Sequence, residues 1–212
     1  MTTSPTAEPA GAATTITGRT GMGKALFIVD VQNDFTEGGA LGVDGGAAVA
    51  AGVTAFLQEH ADEYEVIVAS RDWHDPDNDN GGHFATDDEP DFVESWPRHC
   101  VAGTPGAEYH PAFDTSRVTV HVRKGQGVPA YSLFEGRTEE GSTVHEILEE
   151  RGIHTIDVTG IATDYCVRAS ALDALAHGQH VRVLTSLVAG VAETSSQAAL
   201  AELAHAGAEL VD

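Results

Sequence analysis

Short apolar, β-branched runs alternate with segments of helical period along most of the chain. The first run, residues 25–30 (ALFIVD), stays apolar until its last position, as a strand buried on both faces should. Residues 47–60 carry Val49, Val53, Phe56 and Leu57 near helical spacing, which predicts a helix. Strands are then predicted at 65–69 (EVIVA) and 118–122 (VTVHV), and a helix at 142–151 with Ser142 as its N-cap and Gly152 as its stop. Next come a strand at 155–159, a helix at 164–177 ended by Gly178, and a strand at 181–185. A helix at 193–205 ended by Gly207 and a short strand at 209–211 complete the pattern. Strands separated by helices need crossover connections and so lie parallel. The predicted architecture is an α/β fold, a three-layer α/β/α sandwich with a six-stranded parallel sheet. In such sheets ligands bind beyond the carboxyl ends of the strands. Residues 72–117 show little periodicity, and an irregular segment of that size in a compact domain is usually functional.

At 212 residues the chain is long enough for one domain with a substantial core. Residues 1–22 (MTTSPTAEPAGAATTITGRTGM) hold almost no large apolar side chains, so ordering them would bury too little to offset the entropy lost. They are expected to form a disordered tail, with residues 23–212 as the domain. The tail lacks a basic start and an apolar middle, and no apolar run is long enough to span a bilayer, so the expected location is cytoplasmic. With 33 Asp and Glu against 11 Lys and Arg, the formal charge of -22 excludes a nucleic-acid partner, which would require clustered cations. The run GRTGMGK, from Gly18 to Lys24, matches the opening of a phosphate-binding loop. That loop must follow a strand, open a helix and end in Ser or Thr, whereas Ala25 stands here and a strand follows. The only cysteines, Cys100 and Cys166, are expected as free thiols in a reducing compartment.

The chemistry-bearing residues gather at predicted strand ends. Cys166 falls in the first turn of the helix after strand 155–159, where unpaired backbone N–H groups and the helix dipole favour a thiolate and could hold an oxyanion. A small thiol packing helix to sheet is the structural alternative. Asp30 closes the first strand, either as a proton acceptor or as a turn-forming aspartate. Lys124 follows VTVHV at the same end of the sheet, as a charge partner for a thiolate or as a solvated loop lysine. Asp72 and His74 stand two apart after VIVAS, pointing the same way in extended chain. With His83 and His99 they form an oxygen and nitrogen donor set suited to a divalent metal, or else four solvated loop residues. Phe35, Trp96 and Tyr131 lie in the same loops and could wall a flat aromatic ligand.

With Asp30, Lys124 and Cys166 in this order, the sequence resembles the nicotinamidase/pyrazinamidase branch of the isochorismatase-like cysteine hydrolases. The segments that carry the resemblance are ALFIVDVQNDFTEGGAL, RDWH, GGHF, SWPRHCVAGTPGAEYHP, KGQGVPAYSLFEG and GIATDYCVRASALDA, spread over nearly all of the chain from Lys24 onward. The resemblance implies a catalytic triad of Asp30, Lys124 and Cys166, and one divalent ion, zinc or iron with manganese also admissible, held by Asp72, His74, His83 and His99. It implies an oxyanion hole from the backbone N–H groups of Ala162 and Cys166, and a cis peptide between Ile161 and Ala162. It places the substrate ring among Phe35, Trp96, Tyr131, Ile161 and Tyr165. Tyr165 departs from the histidine often found just before the nucleophile, and the loop between His74 and His83 is longer than in compact relatives. The implied activity is hydrolysis of nicotinamide to nicotinate and ammonia, with pyrazinamide as a second substrate, in NAD salvage. The implied partner is a small-molecule substrate, with no nucleic acid and no membrane, on a monomer or homo-oligomer. The alternatives are a sibling amidohydrolase acting on another small amide or carbamoyl compound, and a non-catalytic metal- or ligand-binding protein.

Overall fold

The computed structural model describes residues 23–86 and 89–212. The expected tail, 1–22, and most of the GRTGMGK run lie outside these residues; its last two, Gly23 and Lys24, open a strand rather than a helix. Six parallel strands form one sheet: β1 (Gly23–Val29), β2 (Val66–Asp72), β3 (Val120–Lys124), β4 (Ile153–Ile161), β5 (His180–Ala189) and β6 (Glu209–Val211). Their order across the sheet is β3-β2-β1-β4-β5-β6. Chain order therefore reverses direction between β1 and β4, which leaves a crevice at their carboxyl ends.

The uninterrupted apolar pattern of β1 has its cause in the two cores. Ala25, Phe27 and Val29 face one side with α2 (Val144–Glu150), α3 (Arg168–Ala176) and α4 (Glu193–Ala206). Leu26 and Ile28 face the other with α1 (Gly46–His60) and Phe113. Alternate side chains thus enter opposite cores, and neither face can be polar. Val49, Val53 and Leu57 are the buried stripe of α1, as their spacing predicts. No helix among the described residues is long and apolar enough to cross a membrane.

Several boundaries move. α2 begins one residue later than expected, because Thr143 rather than Ser142 caps it. The Thr143 hydroxyl accepts from Glu146 N, while the Glu146 carboxylate accepts from Thr143 N. β2 runs to Asp72 and β3 to Lys124, which places those two residues opposite each other in register. β5 extends four residues past its expected end. A register shift near Gly160 lets Val188 and Ala189 pair with Gly160 and Ile161 at the crevice. Among the described part of 72–117, only short 3-10 turns and isolated bridges interrupt the irregular chain.

Candidate active site

Each reactive side chain leaves a strand end facing the crevice. Asp30 follows β1 in a left-handed conformation, φ 48°, and its side chain is fully buried. Ser70 of β2 fixes it, donating from Oγ to Asp30 Oδ1 over 2.7 Å and accepting from Asp30 N over 3.3 Å. Lys124 ends β3, buried, with Nζ 2.9 Å from Asp30 Oδ2 and also bonded to Asp72 Oδ1. The same ammonium donates to Cys166 Sγ over 3.5 Å. The reactive atoms of Asp30, Asp72 and Cys166 all lie within 4.8 Å of one another.

Cys166 is not in an α-helical first turn. Residues Thr163–Val167 form a π turn in which the Ala162 carbonyl accepts from both Tyr165 N and Val167 N, and α3 begins only at Arg168. The peptide between Ile161 and Ala162 is cis. The expectation that the surroundings favour a resting thiolate is corrected. Burial pushes the Cys166 thiol well above the ordinary thiol range, Lys124 opposes this, and Asp30 and Asp72 add to it. Burial likewise raises the Asp30 carboxyl, against the pull of Lys124. Lys124 stays charged, because its two carboxylate partners outweigh the burial that disfavours its charge.

Beside this cluster His74, His83 and His99 bring one nitrogen each within 4.8 Å of the others, and all three are buried. His74 Nδ1 faces the Gly125 carbonyl at 2.9 Å and His99 Nδ1 faces the Pro97 carbonyl at 2.8 Å. That turns their Nε2 atoms inward, the arrangement that orients metal-bound imidazoles. Among the described residues, His74 Nε2 and both nitrogens of His83 have no hydrogen-bond partner, a costly state for buried polar atoms unless something occupies the space between them. Burial pushes His83 down to about 3 and His99 down to about 4, so both imidazoles are neutral and able to coordinate. Asp72 stands between the two groups, its Oδ2 3.6 Å from His74 Nε2 and 3.8 Å from His99 Nε2. Burial opposes its charge, but Lys124 and the histidines hold the carboxyl below its usual range. Three imidazole nitrogens and a carboxylate oxygen fit a divalent transition metal.

Both clusters open into one cavity of about 260 Å³. Phe35, Trp96, Tyr131 and Tyr165 wall it, with Asp72, His83, His99, Ala162 and Cys166 on its surface. Trp96 Nε1 donates to the Tyr131 hydroxyl over 3.0 Å, and the Tyr131 and Tyr165 rings stack at 6.3 Å. Ile161, expected at the ring, is instead fully buried in the core with Leu26 and Ile28, and Ala162 takes its place on the cavity wall. Cys100 is buried and free, its backbone N–H bonded to Asp34 Oδ2 over 2.7 Å.

The sequence reading missed several contributors. Ser70 holds Asp30, and Gln32 grips Asp72 from both sides, accepting from its N–H over 2.8 Å and donating to its carbonyl over 2.9 Å. Leu41, Val43, Phe92 and Val191 complete the cavity. A polar serine in the otherwise apolar VIVAS was the one available signal.

A six-stranded parallel α/β sheet carrying a thiol, a carboxylate and an ammonium at its switch point is the framework of a hydrolase acting on amides. The chain belongs to the isochorismatase family, since residues 24–212 match the Isochorismatase domain. It is 50% identical to the nicotinamidase/pyrazinamidase of Mycobacterium tuberculosis over 188 residues, covering 89% of this chain and 98% of that one. It is 35% identical to the nicotinamidase of Escherichia coli, covering 88% and 93%. Among solved structures, the nicotinate complex from L. infantum superposes with a TM-score of 0.77 at 34% identity, covering 90% of this chain and 93% of that one. The zinc complex of the Pyrococcus horikoshii pyrazinamidase gives 0.75 at 37% identity, covering 89% and 98%.

Proposed function

We propose that this chain is a nicotinamidase, hydrolysing nicotinamide to nicotinate and ammonia, with pyrazinamide as a second ring amide. The observation that carries the reading is the buried contact of Lys124 with Asp30 and with Cys166, whose cavity is also lined by His83 and His99. The ring amide enters between Phe35, Trp96, Tyr131 and Tyr165, which exclude water from its faces. Because the thiol is protonated at rest, attack is coupled to proton transfer: Asp30 takes the proton as Sγ bonds to the carboxamide carbon. Asp30 suits this step, since a carboxylate with a raised pKa is a stronger base. The backbone N–H groups of Ala162 and Cys166 receive the oxyanion. Asp30 then returns the proton to the departing ammonia, leaving a thioester. Water attacks the thioester with Asp30 again as base, which releases the acid and restores the thiol.

Asp72, His74, His83 and His99 would hold one divalent ion, zinc or iron, with manganese admissible. When bound, that ion supplies a Lewis acid for the ring nitrogen of the substrate, and positioning of this kind contributes several kcal/mol.

Ammonia release measured alongside elemental analysis tests both parts. Cys166→Ala should abolish turnover and keep its metal; turnover near the wild-type rate refutes the nucleophile. His74→Ala should lose metal and raise KM; an unchanged KM in the metal-free variant contradicts the anchoring role.

A further inference from the structure

The nucleophile turn is held to α4 on both sides of Cys166. Two residues before it, Asp164 accepts from Val191 N over 3.0 Å, from Ala192 N over 3.3 Å and from Ser195 Oγ over 2.5 Å. Two residues after it, Arg168 pairs with Glu202 through Nε and Nη2, at 2.6 and 2.7 Å. α4 has no cap of its own, because Ala192 stands at its N-cap and offers no side-chain acceptor. Asp164 binds the two N–H groups just ahead of the helix and a hydroxyl in its first turn, and so puts a negative charge at the positive end of the helix. The fit leaves no slack: a Cβ on Gly190 would lie 1.8 Å from Ser196 Oγ and 3.2 Å from Asp164 Oδ1.

We propose that Asp164 is a positioning residue for the hydrolysis, locking the π turn onto the start of α4 so that Cys166 Sγ stays on Lys124 and Asp30. A π turn is a poor anchor by itself, since only a few backbone bonds define it. Asp30 directly follows β1 and Lys124 ends β3, and the imidazoles and Trp96 are on the irregular segment after β2. None of these elements moves with the turn, whereas Tyr165 belongs to it, so a turn that pivots takes the sulfur away from the proton acceptor and shifts one wall of the ring site while the metal ligands stay in place.

The inference rests on Cys166 as the nucleophile, and the test separates the two. Asp164→Ala in the metal-loaded enzyme should lower kcat by about tenfold or more, a loss ordinary for a nucleophile displaced by an ångström. Metal content should be unchanged, because the ligands lie elsewhere, and any rise in KM from a shifted Tyr165 should be smaller than the fall in kcat. Asp164→Asn, which keeps one acceptor oxygen, should recover kcat to within about threefold of wild type, a rescue that general loosening of the fold would not give. Wild-type kcat in Asp164→Ala overturns the proposal, as does a loss that only matches the unfolded fraction of the same sample. Should Asp164→Ala not fold, Ser195→Ala removes the 2.5 Å contact at an exposed position. It should lower kcat measurably with metal content unchanged; unchanged kcat again overturns the idea. If Cys166→Ala remains active, the site reading fails instead, whatever Asp164 does.

Discussion

Asp157 shows how a single side chain can be read from its partners. It lies in the middle of β4 and is fully buried. Arg182 grips it with Nε and Nη2, each at 2.7 Å, Lys24 Nζ lies at 2.9 Å, and the Tyr64 hydroxyl donates over 2.6 Å. Burial alone would raise this carboxyl, but the bonds from Arg182, Tyr64 and Lys24 outweigh it and hold the pKa below the usual value. The two cations are partly exposed, with side chains 30% and 22% accessible, so water can compensate them when the acid is removed. Asp157→Asn should therefore cost about 2–3 kcal/mol, at or just below the low end for a broken buried pair. A depressed folded-state pKa contributes stability that is complete above the unfolded value near 3.9 and is lost as the pH falls through the folded value. The gap between wild type and Asp157→Asn, measured by urea unfolding, should be constant from about pH 8 to about pH 5 and should shrink only below about pH 4. A gap that closes between pH 7 and 6 would mean that another group is titrating.

At the scale of elements, what could be read in the sequence followed from periodicity, and what could not followed from contacts between distant segments. The six strands, four helices and the strand-end positions of Asp30 and Lys124 all follow from apolar runs that stop at a polar residue. The π turn could not be foreseen, because its shape is set by the Ala162 carbonyl accepting two N–H groups. Nor could the length of β5, which depends on a bulge opposite Gly160. Ile161 was misplaced by one residue because alternation along β4 turns its side chain into the core. The loop after β3 offers a test of such contacts. Gly125 has φ +76°, and a Cβ there would lie 2.5 Å from His74 Cε1 and 2.7 Å from Nδ1. Its carbonyl also orients that ring. Gly125→Ala should displace His74 and weaken metal binding by about tenfold or more, measured by competition with a chelator, while circular dichroism stays native. Wild-type metal affinity would show that His74 can move without cost.

For the whole molecule, the β3-β2-β1-β4-β5-β6 order explains why residues up to 136 positions apart form one site: β1, β3 and the turn after β4 deliver Asp30, Lys124 and Cys166 to the same crevice. The crevice gathers buried charges that compensate one another, and the exterior is the opposite case. Acidic residues outnumber Lys and Arg 33 to 11, and exposed pairs such as Arg117 with Asp62 contribute only about 0–1 kcal/mol each. Long-range repulsion among the remaining acids therefore dominates surface electrostatics. Raising sodium chloride from about 0.01 M to about 0.15 M shortens the screening length from about 30 Å to about 8 Å, which weakens that repulsion more than the short contacts inside the buried clusters. The thermal midpoint of the metal-loaded protein should rise over this range and then flatten. A midpoint that falls instead would mean that exposed ion pairs, Arg168 with Glu202 among them, contribute more to stability than the excess acids remove.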